Sequence, residues 1–192
     1  MRCHTHREEA ARVELEPRFS ADEIREAVAR VARAIEADAA QRDSEEPPLL
    51  VGVLKGSFVF LADLMRELRI PAEVDFVRAS SYGAGTTSSG EVDLTKDIKT
   101  EVAGRDVIVV EDIAETGLTM RAICDHVATS EPASLRTCAL LVREGGPPPG
   151  EEPDYAGLRV GPGFLVGYGL DHAERYRGLP DIRALPEDRP DT

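Results

Sequence analysis

The stretch VIVVEDIAETGLTM, residues 107–120, decides the fold. Its first four residues are β-branched and uninterrupted by polar groups, as in a parallel strand buried on both faces. Two adjacent acids, Glu111 and Asp112, close the run. A short turn through Thr116 and Gly117 then opens a helix predicted over about 119–129. Such a turn presents several backbone N–H groups at a helix N-terminus, a ready anion site. The hydroxyls of Thr116 and Thr119 can add donors, and Gly117 permits close approach. A phosphate monoester fits that cradle. Glu111 and Asp112 at the strand end suit a cis-diol, since each carboxylate can accept a hydroxyl hydrogen bond. Phosphate at one end and diol at the other describe ribose 5-phosphate. An isolated acid pair before a turn usually does no more than cap a helix. The full pattern is harder to dismiss: apolar run, two acids, two spacers, acid, Thr, Gly, any residue, Thr. It is not a P-loop, because no Gly-Lys-Ser/Thr follows.

Outward from this segment, helices and strands alternate. Ser20 with Glu23 forms a capping box, and Ile24, Val28, Val31 and Ile35 recur at helical spacing until the polar stretch 43–48. LLVGVL (49–54) reads as a buried parallel strand, Lys55-Gly56-Ser57 as a turn, and 58–69 as a helix with Phe60, Leu61, Leu64 and Leu68 on one face. A strand is predicted over 72–79, a loop over 80–90 and a returning strand over 92–98. Further strands are predicted over 106–110, 135–143 and 164–170, with a Pro/Gly/acidic loop at 145–152 and a proline-punctuated tail from Leu179. Residues 1–19 read as a loose leader, 20–183 as one domain and 184–192 as a tail. This order predicts an α/β fold with a mostly parallel central sheet flanked by helices. Ligands of such sheets sit at the carboxyl ends of the strands, where the unusual residues of this chain collect.

With 192 residues, 42% of them apolar, the chain can build one core. No run reaches the roughly 18 apolar residues of a membrane helix. The opening MRCHTHREEA lacks an apolar h-region, so no secretory signal is expected there. The three cysteines, Cys3, Cys124 and Cys138, give no zinc pattern and suit a reduced, cytoplasmic protein. A net charge of −13 argues against nonspecific contact with nucleic acid or an anionic membrane. A small anionic substrate remains open, held locally by backbone amides and a divalent ion. His4 and His6 resemble a metal pair, but no role is expected for them.

The 107–120 pattern resembles the PRPP-binding signature of type I phosphoribosyltransferases. The resemblance extends to VGVLKGSFVFLADLMREL (51–68), EVDFVRASSYG (73–83) and FLVGYGLDHAERYRGLP (164–180), which look like the bacterial hypoxanthine-guanine phosphoribosyltransferases. It covers roughly residues 20 to 183 and implies the type I fold with a small hood. It implies Leu54, Lys55 and Gly56 as the pyrophosphate loop, often with a cis peptide before the lysine. Glu111 and Asp112 would hold the ribose hydroxyls, and Glu115, Thr116, Gly117, Leu118 and Thr119 the 5-phosphate. Phe164 would stack on the base, Leu165 would read its edge through the backbone, and Asp171 would sit beside it. Asp171, with Glu111 and Asp112, would anchor Mg2+; Arg177 would contact pyrophosphate; Ser81 and Tyr82 would lie on a lid. Each has a bland alternative: Phe164 as core, Asp171 and Arg177 as a surface ion pair, Lys55 as a turn lysine.

The catalytic residues implied are Glu115, Arg143 and Arg177, and two of them depart from the family. The family normally carries aspartate at Glu115, near N7 of the purine, and lysine at Arg143, which recognises the 6-oxo group. The activity implied is transfer of phosphoribose from PRPP to a 6-oxopurine such as hypoxanthine or guanine, with release of pyrophosphate. Alternatives are a 7-deazapurine base such as 7-cyano-7-deazaguanine, or a PRPP-binding regulator without activity. The resemblance also implies a homodimer or homotetramer.

Overall fold

A computed structural model describes residues 14–42, 46–81 and 92–186, apart from the side chains of residues 80, 81, 92 and 93. Helix α1 (Ala21–Ala39) starts where its capping box predicts: the Ser20 backbone N–H donates to Glu23 Oε2 at 2.9 Å, and the Glu23 N–H returns to Ser20 Oγ at 3.3 Å. Its buried face is Ile24, Ala27, Val28, Val31, Ala32 and Ile35. Before it, residues Glu16–Phe19 form strand β1, although the sequence reads as a leader there.

The central sheet contains β2 (Leu49–Val53), β3 (Glu73–Ser81), β4 (Val92–Lys96), β5 (Asp106–Ala114), β6 (Ser134–Arg143) and β7 (Tyr155–Val160), in the order β4-β3-β2-β5-β6-β7. All neighbours are parallel except β3 and β4. β3 extends to Ser81, two residues into the predicted loop, and Tyr82 lies outside the described residues. β5 runs on through Ala114, so the acid pair belongs to the strand rather than following it. β7 was not anticipated. Its buried ends, Tyr155 and Val160, flank exposed or half-buried residues, which gives no strand period.

Alternating strand residues feed two cores. On one face Leu50, Ile108 and Val110 pack against α1 and against α2 (Phe58–Glu67), whose Phe60, Leu61 and Leu64 are buried. On the other, Leu49, Val51, Val107 and Val109 pack against Met120, Ile123 and Val127 of α3 (Leu118–Ala128). The chain steps from β2 outward to β3, then returns to the other side of β2 as β5. That reversal opens a crevice between the carboxyl ends of β2 and β5.

A second sheet, β1-β9-β8, forms the hood from β8 (Leu165–Val166) and β9 (Ile182–Ala184). Only two residues of the predicted 164–170 strand are extended; beyond them Gly167, Tyr168 and Gly169 all have positive φ and coil the chain. Tyr168 ties the hood to α2 by donating its hydroxyl to Asp63 Oδ2 at 2.6 Å. No helix among the described residues is long and apolar enough to cross a membrane.

Candidate active site

A cavity of about 580 Å³ opens at the carboxyl edge of the central sheet. Leu54, Lys55 and Gly56 form one wall, in the loop that joins β2 to α2. The Leu54–Lys55 peptide is cis. The buried Ser57 hydroxyl braces this loop from below, donating to the Val53 carbonyl at 2.7 Å. Gly56 is dictated by its neighbour: a Cβ there would overlap the Asp112 carboxylate.

Successive residues of β5 face opposite ways. Asp112 turns toward the Gly56 loop and lines the cavity. Glu111 is 9% exposed and turns toward α3, where its charge helps raise the thiol pKa of Cys124. The sequence puts both acids on one diol; in the structure only Asp112 belongs to the cavity wall. Burial pushes Glu111 up to about 8, with help from the charges of Asp112 and Glu115. Burial pushes Asp112 up to about 6, against backbone amides and the Arg177 charge, which favour ionisation. Two carboxylates held above their ordinary range would both ionise more readily beside a cation.

Between β5 and α3 the chain turns through Glu115, Thr116 and Gly117. Gly117 caps α3 with φ of 78°, which explains the glycine. The cap makes no side-chain hydrogen bond to the helix, so the amides of the first turn stay available, apart from a long contact of the Leu118 N–H to Thr116 Oγ1 at 3.4 Å. Thr119 follows in the first turn of α3. Thr116 through Thr119 are not part of the cavity wall itself; Glu115, at the start of the turn, is.

The two residues that depart from the family prove to be partners. Arg143, at the end of β6, grips Glu115 with two parallel bonds, Nε to Oε2 at 2.8 Å and NH2 to Oε1 at 2.5 Å. A third bond runs from Arg143 NH1 to the Gly161 carbonyl. The glutamate raises the guanidinium pKa further, chiefly through these hydrogen bonds. A lysine could not make this fork.

Across the cavity stands Phe164, 53% exposed, with His172 edge-on at a centroid distance of 5.4 Å. Leu165 follows as the first residue of β8, and Leu185 N–H donates to the Phe164 carbonyl at 2.8 Å. The aromatic is therefore a presented surface, not core. Asp171 Oδ1 pairs with Arg177 NH2 at 2.7 Å, and Asp171 Oδ2 accepts from the Glu174 N–H at 2.8 Å. Arg177 NH1 also donates to the Gly169 carbonyl at 2.7 Å. Glu174, which the sequence reading did not single out, bonds Lys55 Nζ at 2.8 Å and lies 3.5 Å from Arg177 NH2. No residue-type signal marks it, because one glutamate in a loop is commonplace. Arg78, near the end of β3, lines the same cavity and was likewise not singled out. Ser81, which the resemblance places on a lid, ends β3, and its side chain is not described.

Candidate cation ligands are Asp112 and Asp171 in the cavity and Glu111 behind it. Among the described residues, no group of three or more His, Cys, Asp or Glu could hold a metal ion alone.

The family described as phosphoribosyl transferase domain matches residues 20–173. The hypoxanthine-guanine phosphoribosyltransferase of Streptococcus mutans is 45% identical over 141 residues, covering 73% of this chain and 78% of the relative. The bifunctional protein TilS/HprT of Listeria innocua is 42% identical over 167 residues, 87% of this chain, but this chain spans only 25% of that longer protein. A crystal structure of a hypoxanthine-guanine phosphoribosyltransferase from Bacillus anthracis superposes with a TM-score of 0.83 at 39% identity, covering 90% of this chain and all of that one. The chain belongs to the hypoxanthine-guanine phosphoribosyltransferase family.

Proposed function

We propose that the protein transfers the 5-phosphoribosyl group of PRPP to hypoxanthine or guanine, releasing pyrophosphate. One observation carries this reading. The Lys55 loop, the Asp112 carboxylate and the exposed ring of Phe164 face one cavity, with the amide cradle of α3 beside it. That order matches pyrophosphate, ribose, base and 5-phosphate. The relatives are named for hypoxanthine and guanine, and nothing in them favours the deazapurine alternative.

In this reading the α3 amides and the hydroxyls of Thr116 and Thr119 fix the 5-phosphate. Asp112 accepts a ribose hydroxyl, with Glu111 supporting it from behind. Lys55 and Arg177 take the pyrophosphate. Phe164 orients the base for attack at C1 from the face opposite the leaving group. Leu165 reads the base edge through its backbone. Arg143 presents donors to a 6-oxo oxygen, and Glu115 faces the imidazole side of the purine. Closure over the site by Ser81 and Tyr82 would keep water from the ribosyl cation. The acid-rich wall fits Mg2+, which takes one or two carboxylates plus substrate phosphates rather than an all-protein cage. Asp171 and Asp112 would hold it, and it would neutralise charge on the departing pyrophosphate. The buried Cys138 and half-buried Cys124 are free thiols, which supports a cytoplasmic location. Phe58 and Met65, exposed two turns apart on α2, support a homo-oligomer contact there.

The test is pyrophosphate release from PRPP and Mg2+ with hypoxanthine, guanine or adenine. We expect turnover with the two 6-oxopurines. No release with either, in a protein that binds PRPP, would sink the reading.

A further inference from the structure

The ionised side chains lining the cavity do not balance pair by pair. Lys55 is taken by Glu174, at 2.8 Å. Arg143 is taken by Glu115, at 2.5 Å. Arg177 is taken by Asp171, at 2.7 Å. Two groups are left over. One is Asp112, whose raised pKa reflects its burial. The other is Arg78, which is exposed, lines the cavity, and whose guanidinium makes no hydrogen bond or ion pair with any described residue.

The place of Arg78 says which part of a ligand it meets. β3 runs parallel to β2, and the residue before Arg78, Val77, accepts from the Leu54 N–H at 2.8 Å. Arg78 therefore stands near the carboxyl end of β3, beside the Lys55 loop and three strands across the sheet from Arg143 on β6. Polyphosphate oxygens at this loop come within the reach of an arginine side chain. A guanidinium without a partner among the described residues can engage them without first breaking any ion pair seen there, whereas Lys55 and Arg177 must each exchange a carboxylate for the ligand. A planar fork also suits two phosphate oxygens at once.

We propose that Arg78 is a binding residue for the pyrophosphate group of the substrate and product, closing the leaving-group site from the β3 side. This rests on the PRPP reading above. Charge-assisted hydrogen bonds contribute roughly 1.5–3 kcal/mol each, so losing one weakens binding about tenfold or more. The experiment is calorimetric titration of pyrophosphate with Mg2+ into the parent, Arg78→Gln and Arg78→Lys. Steady-state KM values for PRPP and for base are measured alongside. Arg78 is exposed and unpaired with any described residue, so both variants should keep the parent Tm. The proposal expects a pyrophosphate Kd and a PRPP KM about tenfold higher in R78Q, partial recovery in R78K, and an unchanged KM for base. The salt dependence of pyrophosphate binding should also flatten in R78Q. A pyrophosphate Kd within twofold of the parent would overturn it, as would an effect confined to the base KM. A parent that binds neither PRPP nor pyrophosphate would instead defeat the PRPP reading itself.

Discussion

At the scale of the residue, the Glu115–Arg143 pair changes how the two departures from the family should be understood. Separately, each is a conservative swap that keeps charge. Together they are one unit, because the fork of Arg143 closes on both oxygens of Glu115. Groups that share bonds behave non-additively, with coupling of about 0.5–3 kcal/mol. Glu115→Asp withdraws the carboxylate by a methylene, and Arg143→Lys removes the fork. Each single change should therefore lower kcat/KM for hypoxanthine. The double change should be no worse than the poorer single. A double variant that loses the product of the two single losses would show that the residues act independently.

Glu111 poses a different question at the same scale. Burial holds it up to about 8 in the folded protein, whereas an unfolded glutamate titrates near 4.3. Between those values the folded state holds a proton that the unfolded state has lost. Stability therefore falls as pH rises across that window and levels off above about 8. Glu111→Gln removes the penalty. At pH 8 the variant should melt several degrees above the parent, since 1 kcal/mol moves Tm by roughly 2–4 °C in a chain of this size. At pH 4, below the unfolded pKa, the two should nearly coincide. An equal Tm difference at both values would mean that the ionisation of Glu111 is not the source.

At the scale of the element, the helices and the parallel strands other than β7 were legible because their signals are local. The Ser20 box, the α2 face and the apolar runs at 49–53 and 106–110 each fall inside one window. The turn through Thr116 and Gly117 into α3 was legible for the same reason. The hood was not. β1, β8 and β9 are two to four residues long and take their strand form from one another. Nor was the pairing of Glu115 with Arg143, 28 positions apart, because β5 and β6 bring them together only after the sheet has formed. The hood and the Lys55 loop meet through the Lys55–Glu174 ion pair and through close backbone packing: Gly169 has φ of 100°, and a Cβ on it would overlap the Gly56 carbonyl. Gly169→Ala should lower Tm and weaken pyrophosphate binding together, since a left-handed conformation costs an L-residue about 1–2 kcal/mol before the clash is counted. Parent-like Tm and pyrophosphate affinity would show that the contact is not needed.

At the scale of the whole molecule, the Phe164 wall of the cavity is held by opposite ends of the described chain. β1 comes from before the first helix and β9 from after the last loop, and they pair with each other at Glu16↔Ala184. β9 in turn pairs with β8 at Leu165↔Ala184, one residue past Phe164. The exposed ring of Phe164 thus depends on residues nearly the whole chain apart, whereas the turn before α3 and the Lys55 loop each follow a strand of the central sheet. Ile182 is the fully buried pin of this clasp. Ile182→Ala should cost about 2–5 kcal/mol through the cavity it leaves. Assayed well below its lowered Tm, the variant should show a KM for hypoxanthine raised severalfold and a KM for PRPP close to the parent. Such a split would mean that the hood tunes base recognition separately from phosphoribosyl binding. An equal rise in both would make the clasp a support for the entire site, and an unchanged hypoxanthine KM despite lost stability would make it a structural closure with no hold on Phe164.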